Sequence, residues 1–161
     1  MTWRVLEDFI RRNQFTILNK SEGIPLESIR AWEEKFGLML PQGYKDFLHI
    51  MGANNEFNAF GRAEHNFFTL TKNLPSKHYP IELFRIAHDS KNDLNNPIDL
   101  FVDLTETTAY DAALFEYEPY NEFRANEVKR ITLSLMEILT RQLLLSCIDF
   151  NDHLSTYANK S

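Results

Sequence analysis

A histidine and two aspartates lie close together in the stretch HDSKNDLNNPID, between two apolar segments of the chain. These residues are His88, Asp89 and Asp93, and carboxylates surrounded by amides are groups that can bind Ca²⁺. The spacing does not match an EF-hand loop, because the sixth position counted from Asp89 is Leu94, where the loop requires glycine. Asp, Asn and Ser are ordinary turn formers, so a solvated turn is the simpler interpretation and no metal site is predicted.

Two further carboxylates, Glu116 and Glu118, are two positions apart on a predicted strand and therefore point to the same face. Glycosidases use paired carboxylates, but they hold them across a cleft with separated pKa values, and the sequence indicates no cleft here. The chain also lacks a glycine-rich phosphate loop and a G-x-S-x-G elbow, and its five histidines are dispersed. We therefore predict a protein that is not an enzyme, with no catalytic residue and no cofactor.

Acidic residues are concentrated in the middle of the chain. The 161 residues carry a formal net charge of −6. Residues 82–127 hold eleven acidic and three basic side chains, a net charge of −8, whereas the segments on either side are each +1. This charge disfavours nucleic acids and membranes as partners and favours a basic protein, which the acidic segment would steer into contact. Ordinary solubility is the alternative explanation.

The acidic segment is where we predict a surface for a partner protein. Aromatic residues alternate there with the acids, and exposed aromatic side chains commonly anchor protein interfaces. The predicted contact residues are Asp89, Asp93, Asp99, Asp103, Glu106, Asp111, Glu116, Glu118, Glu122, Phe101, Tyr117 and Tyr120.

The elements that must position these residues form an α+β fold in a single domain, residues 1–161. Three segments, IELFRIAHD, PIDLFVDLT and AALFEYEP, have strand patterns, and the links between them are too short for crossover helices. We therefore predict an antiparallel sheet of about five or six short strands, flanked by N-terminal and C-terminal helices. Helical periodicity covers residues 3–14 and 127–145, and a short extra helix is expected within 146–161.

Residue spacing also predicts which side chains share a face. The first helix is expected to place Val5, Leu6, Phe9 and Ile10 on its apolar side. In PIDLFVDLT the period of two separates Ile98, Leu100, Val102 and Leu104 from Asp99, Phe101, Asp103 and Thr105.

The environment of the protein is predicted from its cysteine content and its N-terminus. The single cysteine, Cys147, excludes an intramolecular disulfide, and its apolar neighbours predict a buried thiol. The N-terminal residues mix charged with apolar side chains, unlike a signal peptide, and no apolar run approaches the roughly 20 residues that span a bilayer. We expect a cytoplasmic protein that is a monomer or a weak dimer.

Residues 25–52 have the pattern of two helices joined at a corner, with glycine ending the first helix and proline beginning the second. The pattern I-x-x-x-E-x-x-x-G-x-x-L-P-x-x-Y-x-x-F-L resembles the signature of the SUKH superfamily, also called the Smi/Knr family. The structural residues of this motif are Ile29, Trp32, Glu33, Phe36, Gly37, Leu40, Pro41, Tyr44, Phe47 and Leu48.

The resemblance extends over about residues 25–145 and implies an α+β domain without catalytic residues. Most bacterial members are thought to be immunity proteins, which bind and neutralise toxins, many of them nucleases, delivered between competing cells. The resemblance therefore implies an immunity (antitoxin) protein of a polymorphic toxin system, with a cognate toxin as its partner. A basic nuclease would suit the acidic segment. The alternative is a cytoplasmic regulatory or scaffolding module of the Smi/Knr type.

Overall fold

The computed structural model describes residues 3–12, 21–53, 67, 71–73, 83–88, 99–117 and 128–158. The helices among them are α1 (Trp3–Arg12), α2 (Leu26–Phe36), α3 (Gln42–Met51) and α4 (Leu135–Ala158). The strands are β1 (Thr71–Asn73), β2 (Leu83–His88), β3 (Asp99–Thr107), β4 (Ala112–Tyr117) and β5 (Val128–Arg130). The predicted α+β class is confirmed.

The described strands form one sheet in which neighbours in the chain are also neighbours in space, in the order β1-β2-β3-β4-β5. Every pair is antiparallel, as predicted from the short links. A turn joins β3 to β4, and it is closed by a 2.8 Å hydrogen bond from the Thr108 N–H to the Asp111 carbonyl. This is a meander, the simplest topology for consecutive strands with short connections.

The main core lies between the helices and one face of the sheet. Phe84, Val102 and Leu114 belong to the core on the sheet side, and they meet apolar side chains of all four helices. A second, smaller cluster lies on the opposite face and contains Leu83, Phe101 and Phe115. Both faces of the central strands are therefore buried, which explains why β2 lacks a simple polar side.

The predicted helical corner between α2 and α3 is confirmed. Pro25 and Pro41 directly precede the two helices with φ values of −55° and −57°, close to the angle that the proline ring imposes. Gly37 ends α2 in the left-handed conformation, with φ 61° and ψ 33°. The Glu33 carboxylate then accepts a 2.7 Å hydrogen bond from the Leu40 N–H and lies 3.4 Å from the Lys45 ammonium group. One side chain thus ties the end of α2 to the start of α3.

The apolar side of α1 differs from the prediction. Trp3, Leu6 and Ile10 are buried, whereas Val5 and Phe9 are 55% and 45% exposed. The buried positions are spaced by three and four residues, and the Trp3 ring packs edge-on against Phe47 at 5.6 Å between centroids. Trp3 was not part of the predicted apolar stripe. With Trp3 in the stripe, the buried side of the helix is rotated away from Val5 and Phe9.

The predicted C-terminal elements are wrong in two respects. Residues 128–130 form strand β5, and the helix that was predicted over 127–145 begins only at Leu135. The extra helix expected within 146–161 is not separate, because α4 continues without a break to Ala158. No glycine or proline interrupts this segment, and the Ser146 hydroxyl bonds to the Gln142 carbonyl inside the helix at 2.9 Å.

Candidate functional site

The predicted acidic surface is only partly within the described residues. Asp89, Asp93, Glu118, Glu122 and Tyr120 lie outside them. Glu106 and Tyr117 belong to β3 and β4, but only their backbones are described. The described side chains of the predicted set are those of Asp99, Phe101, Asp103, Asp111 and Glu116.

Asp99 and Asp103 are in the interior of the sheet. Their exposed fractions are 8% and 0%, so neither presents a carboxylate to a partner protein. Asp99 lies 3.6 Å from the Arg85 guanidinium group across the β2–β3 pair. Asp103 accepts hydrogen bonds from the backbone N–H and the hydroxyl of Thr105, at 2.8 and 2.6 Å. Buried carboxylates need such partners, and here the partners belong to the same sheet.

Phe101 and Glu116 also depart from the predicted acidic surface. Phe101 is 6% exposed and packs in the second cluster, between β2 and β4. It lies directly opposite Phe115, whereas Glu116 lies opposite Leu100. Since successive strand residues point to opposite faces, Glu116 is on the other side of the sheet from Asp99 and Asp103. The described acids therefore do not form one exposed acidic face.

Asp111 has a structural role that the sequence analysis missed. Its carboxylate accepts hydrogen bonds from the Ser134 hydroxyl at 2.6 Å and from the Met136 N–H at 3.0 Å, both at the start of α4. It also accepts one from the Ala112 N–H at 2.7 Å, and the Thr108 hydroxyl accepts one from the Asp111 N–H at 2.8 Å. A carboxylate at this position accepts hydrogen bonds from N–H groups that the start of a helix leaves unpaired. Its negative charge is also attracted to the positive end of the helix dipole.

The start of α4 is capped from its own side as well. Glu137 accepts a 2.8 Å hydrogen bond from the Ser134 N–H, and the Ser134 hydroxyl accepts a 3.3 Å bond from the Glu137 N–H. This reciprocal pair is a capping box of the form S-x-x-E. The motif is visible in the sequence and would have placed the helix start correctly.

The turn between β3 and β4 also contacts the starts of α3 and α1. The carbonyls of Ala109 and Tyr110 accept hydrogen bonds from the N–H groups of Gln42 and Gly43, at 3.1 and 3.0 Å, at the start of α3. The Tyr110 hydroxyl accepts a hydrogen bond from the Trp3 N–H at the start of α1. Partial burial raises the pKa of Tyr110 above its ordinary value of 10.0.

A polar hollow of about 240 Å³ lies beside this turn, between the end of β5 and the first turn of α4. Its lining includes Thr108, Asp111, Arg130, Ser134 and Glu137. All but Arg130 contribute groups to the turn and cap hydrogen bonds given above. Across the described part of the chain, no group of three His, Cys, Asp or Glu residues is arranged to hold a metal ion. We therefore interpret the hollow as the outer surface of the contact between the β3–β4 turn and the start of α4.

Two further observations concern the reactivity of Cys147 and the apolarity of the helices. Cys147 is buried in α4, and burial raises the pKa of its thiol to about 11, so the thiolate is scarce at neutral pH. None of the helices within the described ranges is long and apolar enough to cross a membrane.

Comparison with known proteins leaves the family of the chain without direct support. No family model matches the sequence, and no curated protein or solved structure is significantly similar to it.

Proposed function

We propose that this chain is a non-enzymatic immunity protein of the SUKH type, which binds and neutralises a basic toxin such as a nuclease. The observation that carries the proposal is the charge distribution. Residues 82–127 have a net charge of −8 within a chain whose total is −6. Such a segment would draw a basic domain into contact and raise its association rate, more strongly at low salt than at high salt.

The packing of the helical corner supports the family resemblance. Ile29, Tyr44 and Leu48 are almost completely buried, and Glu33 with Gly37 fixes the link between the two helices. The residues that carry the resemblance thus act together as one packing unit. They stabilise the domain and leave the binding function to another part of its surface.

The burial of some acids narrows the proposed contact set. Asp99, Asp103 and Asp111 bind groups within the domain, so we assign them to the fold. Phe101 belongs to the second cluster and is assigned in the same way. The acids and aromatics that we propose for contact are Asp89, Asp93, Glu106, Glu118, Glu122, Tyr117 and Tyr120. Glu116 is left out because it lies on the sheet face of Leu100, which belongs to the main core.

The proposal can be tested by co-expression with the product of the adjacent gene, followed by titration of the purified toxin domain. The variant Glu118→Lys/Glu122→Lys should weaken binding by roughly tenfold or more at low salt, because it places like charges against a basic partner. The matched control is Glu27→Lys/Glu34→Lys, which makes the same change in net charge at exposed positions of α2. The control should reduce affinity only a few-fold, through the long-range field.

The proposal fails if the protein neither rescues growth nor retains a basic partner. Capture of several partners with modest affinity, none of them a toxin, would favour the regulatory or scaffolding alternative. Equal loss of affinity in both charge-reversal variants would contradict the proposed contact set while leaving an immunity function in place.

A further inference from the structure

The β3–β4 turn, residues 108–111, lies where the starts of α1, α3 and α4 meet. We propose that this turn is a latch that couples the docking of α1 to the first turn of α4, so that the two helix starts open together. The inference concerns the folded domain itself and does not depend on the proposed function.

The coupling begins with two neighbouring residues that bind different helices. Asp111 holds the Ser134 hydroxyl and the Met136 N–H of α4, and Tyr110 accepts the Trp3 N–H of α1. Because the two residues are adjacent, loss of the Asp111 bonds would allow the turn to rotate and carry the Tyr110 ring with it. The anchor of α1 would then move away from Trp3.

The position of the Tyr110 ring also depends on α3 and α4. A methyl group built at Gly43 would lie 2.7 Å from the Tyr110 ring and 2.9 Å from the Met136 sulfur atom. The ring is therefore packed into a space between α3 and α4 that has no room for one more carbon atom. Met136 belongs to the first turn of α4 and approaches the same point as the Tyr110 ring, so the two side chains are neighbours beside Gly43.

The N-terminus of α3 is attached to the same turn through backbone groups alone. The Ala109 and Tyr110 carbonyls accept the N–H groups of Gln42 and Gly43. This attachment joins the turn to α3 without any side-chain group, whereas the link from the turn to α4 depends on the Asp111 carboxylate. By linkage, any partner that stabilises the docked α1 would also stabilise the start of α4.

Hydrogen exchange of backbone amides measures the opening of each helix separately. In Asp111→Asn, we expect exchange to become roughly tenfold faster in both the first turn of α4 and the amides of α1, because a charged cap contributes about that factor to the opening equilibrium. In Tyr110→Phe, which removes only the hydroxyl, we expect faster exchange in α1 and, by linkage, a smaller acceleration in the first turn of α4.

The matched control is Glu137→Gln, which weakens the capping box from the side of α4 and leaves the turn intact. It should accelerate exchange in the first turn of α4 much more than in α1, because the Asp111 bonds that carry the coupling remain. Unchanged exchange of α1 in Asp111→Asn would overturn the latch, and so would an equal effect of Asp111→Asn and Glu137→Gln on α1. A uniform increase that includes α2 would also overturn it, since that result indicates global unfolding.

Discussion

A carboxylate holds main-chain N–H groups in two regions of the molecule, but over very different separations along the chain. In the helical corner, Glu33 binds the Leu40 N–H seven residues away. At the β3–β4 turn, Asp111 binds the Met136 N–H twenty-five residues away. Both carboxylates satisfy backbone groups that would otherwise lose their hydrogen bonds on burial.

The two regions differ in how the chain brings the partners together. Around Glu33, a glycine stop and a proline start bring Leu40 within reach through the local course of the chain. Around Asp111, a sheet and a helix must be packed before the carboxylate meets its partners. The Glu33–Leu40 contact therefore follows from local geometry. The Asp111–Met136 contact forms only with the tertiary structure, which it then stabilises.

The largest expected effect is that of Asp111→Ala. This change removes the acceptor of three hydrogen bonds and leaves the start of α4 uncapped on the sheet side. We expect the free energy of unfolding to fall by about 2–4 kcal/mol in urea titrations. The control is Asp8→Ala at an exposed position of α1, which should change it by less than about 0.5 kcal/mol. Equal effects of the two changes would refute the distinction between structural and surface acids.

A smaller loss is expected for Glu33→Ala in the corner. The carboxylate there accepts one backbone bond and pairs with one partly exposed lysine. Urea titration should give a loss of about 1–2 kcal/mol, smaller than for Asp111→Ala. A larger loss in the free energy of unfolding for Glu33→Ala than for Asp111→Ala would contradict this ranking of the two regions.

Gly37→Ala should cost about 1 kcal/mol, because alanine rarely adopts the left-handed conformation at φ 61°. A methyl group there would contact nothing within 4 Å, so the cost comes from the backbone alone. Gly37→Asn is the informative companion in the same titration, since asparagine tolerates this conformation better and should recover part of the loss. A loss of several kcal/mol in Gly37→Ala would show that the corner depends on more than local geometry.

Each region also contains a tyrosine whose pKa is raised by burial, Tyr44 in the corner and Tyr110 at the turn. The folded protein keeps these protons to a higher pH than the unfolded chain does. Their stabilisation is therefore complete below pH 10 and is lost as the pH rises above it. The loss near pH 10.5 is less than about 1 kcal/mol for the buried Tyr44, and it is smaller for Tyr110, whose partial exposure screens the effect.

Stability measured against pH in Tyr44→Phe and Tyr110→Phe checks this expectation. Each variant should show a shallower decline above pH 10 than the parent protein, and the difference should be larger for the fully buried Tyr44. A decline of unchanged slope in both variants would show that other groups cause the alkaline loss.

The corner and the antiparallel order of the strands could be predicted because their causes are local. Gly37, Pro41 and the alternation in PIDLFVDLT are each visible in a short stretch of sequence. The burial of Asp99 and Asp103 could not be predicted, since alternation separates two faces of a strand but does not say what covers each. The long-range role of Asp111 was equally hidden, although the Ser134–Glu137 capping box was a local clue to the start of α4.

The contact between Asp111 and Ser134 joins the turn to α4 across the fold. Its interaction free energy therefore tests the structural role of Asp111 most directly. A double-mutant cycle with Asp111→Ala, Ser134→Ala and the double variant isolates the interaction from the separate cost of each change. We expect a coupling free energy of about 1–2 kcal/mol from urea unfolding. Additive losses, with a coupling free energy near zero, would contradict the claim that this acidic residue holds the domain together.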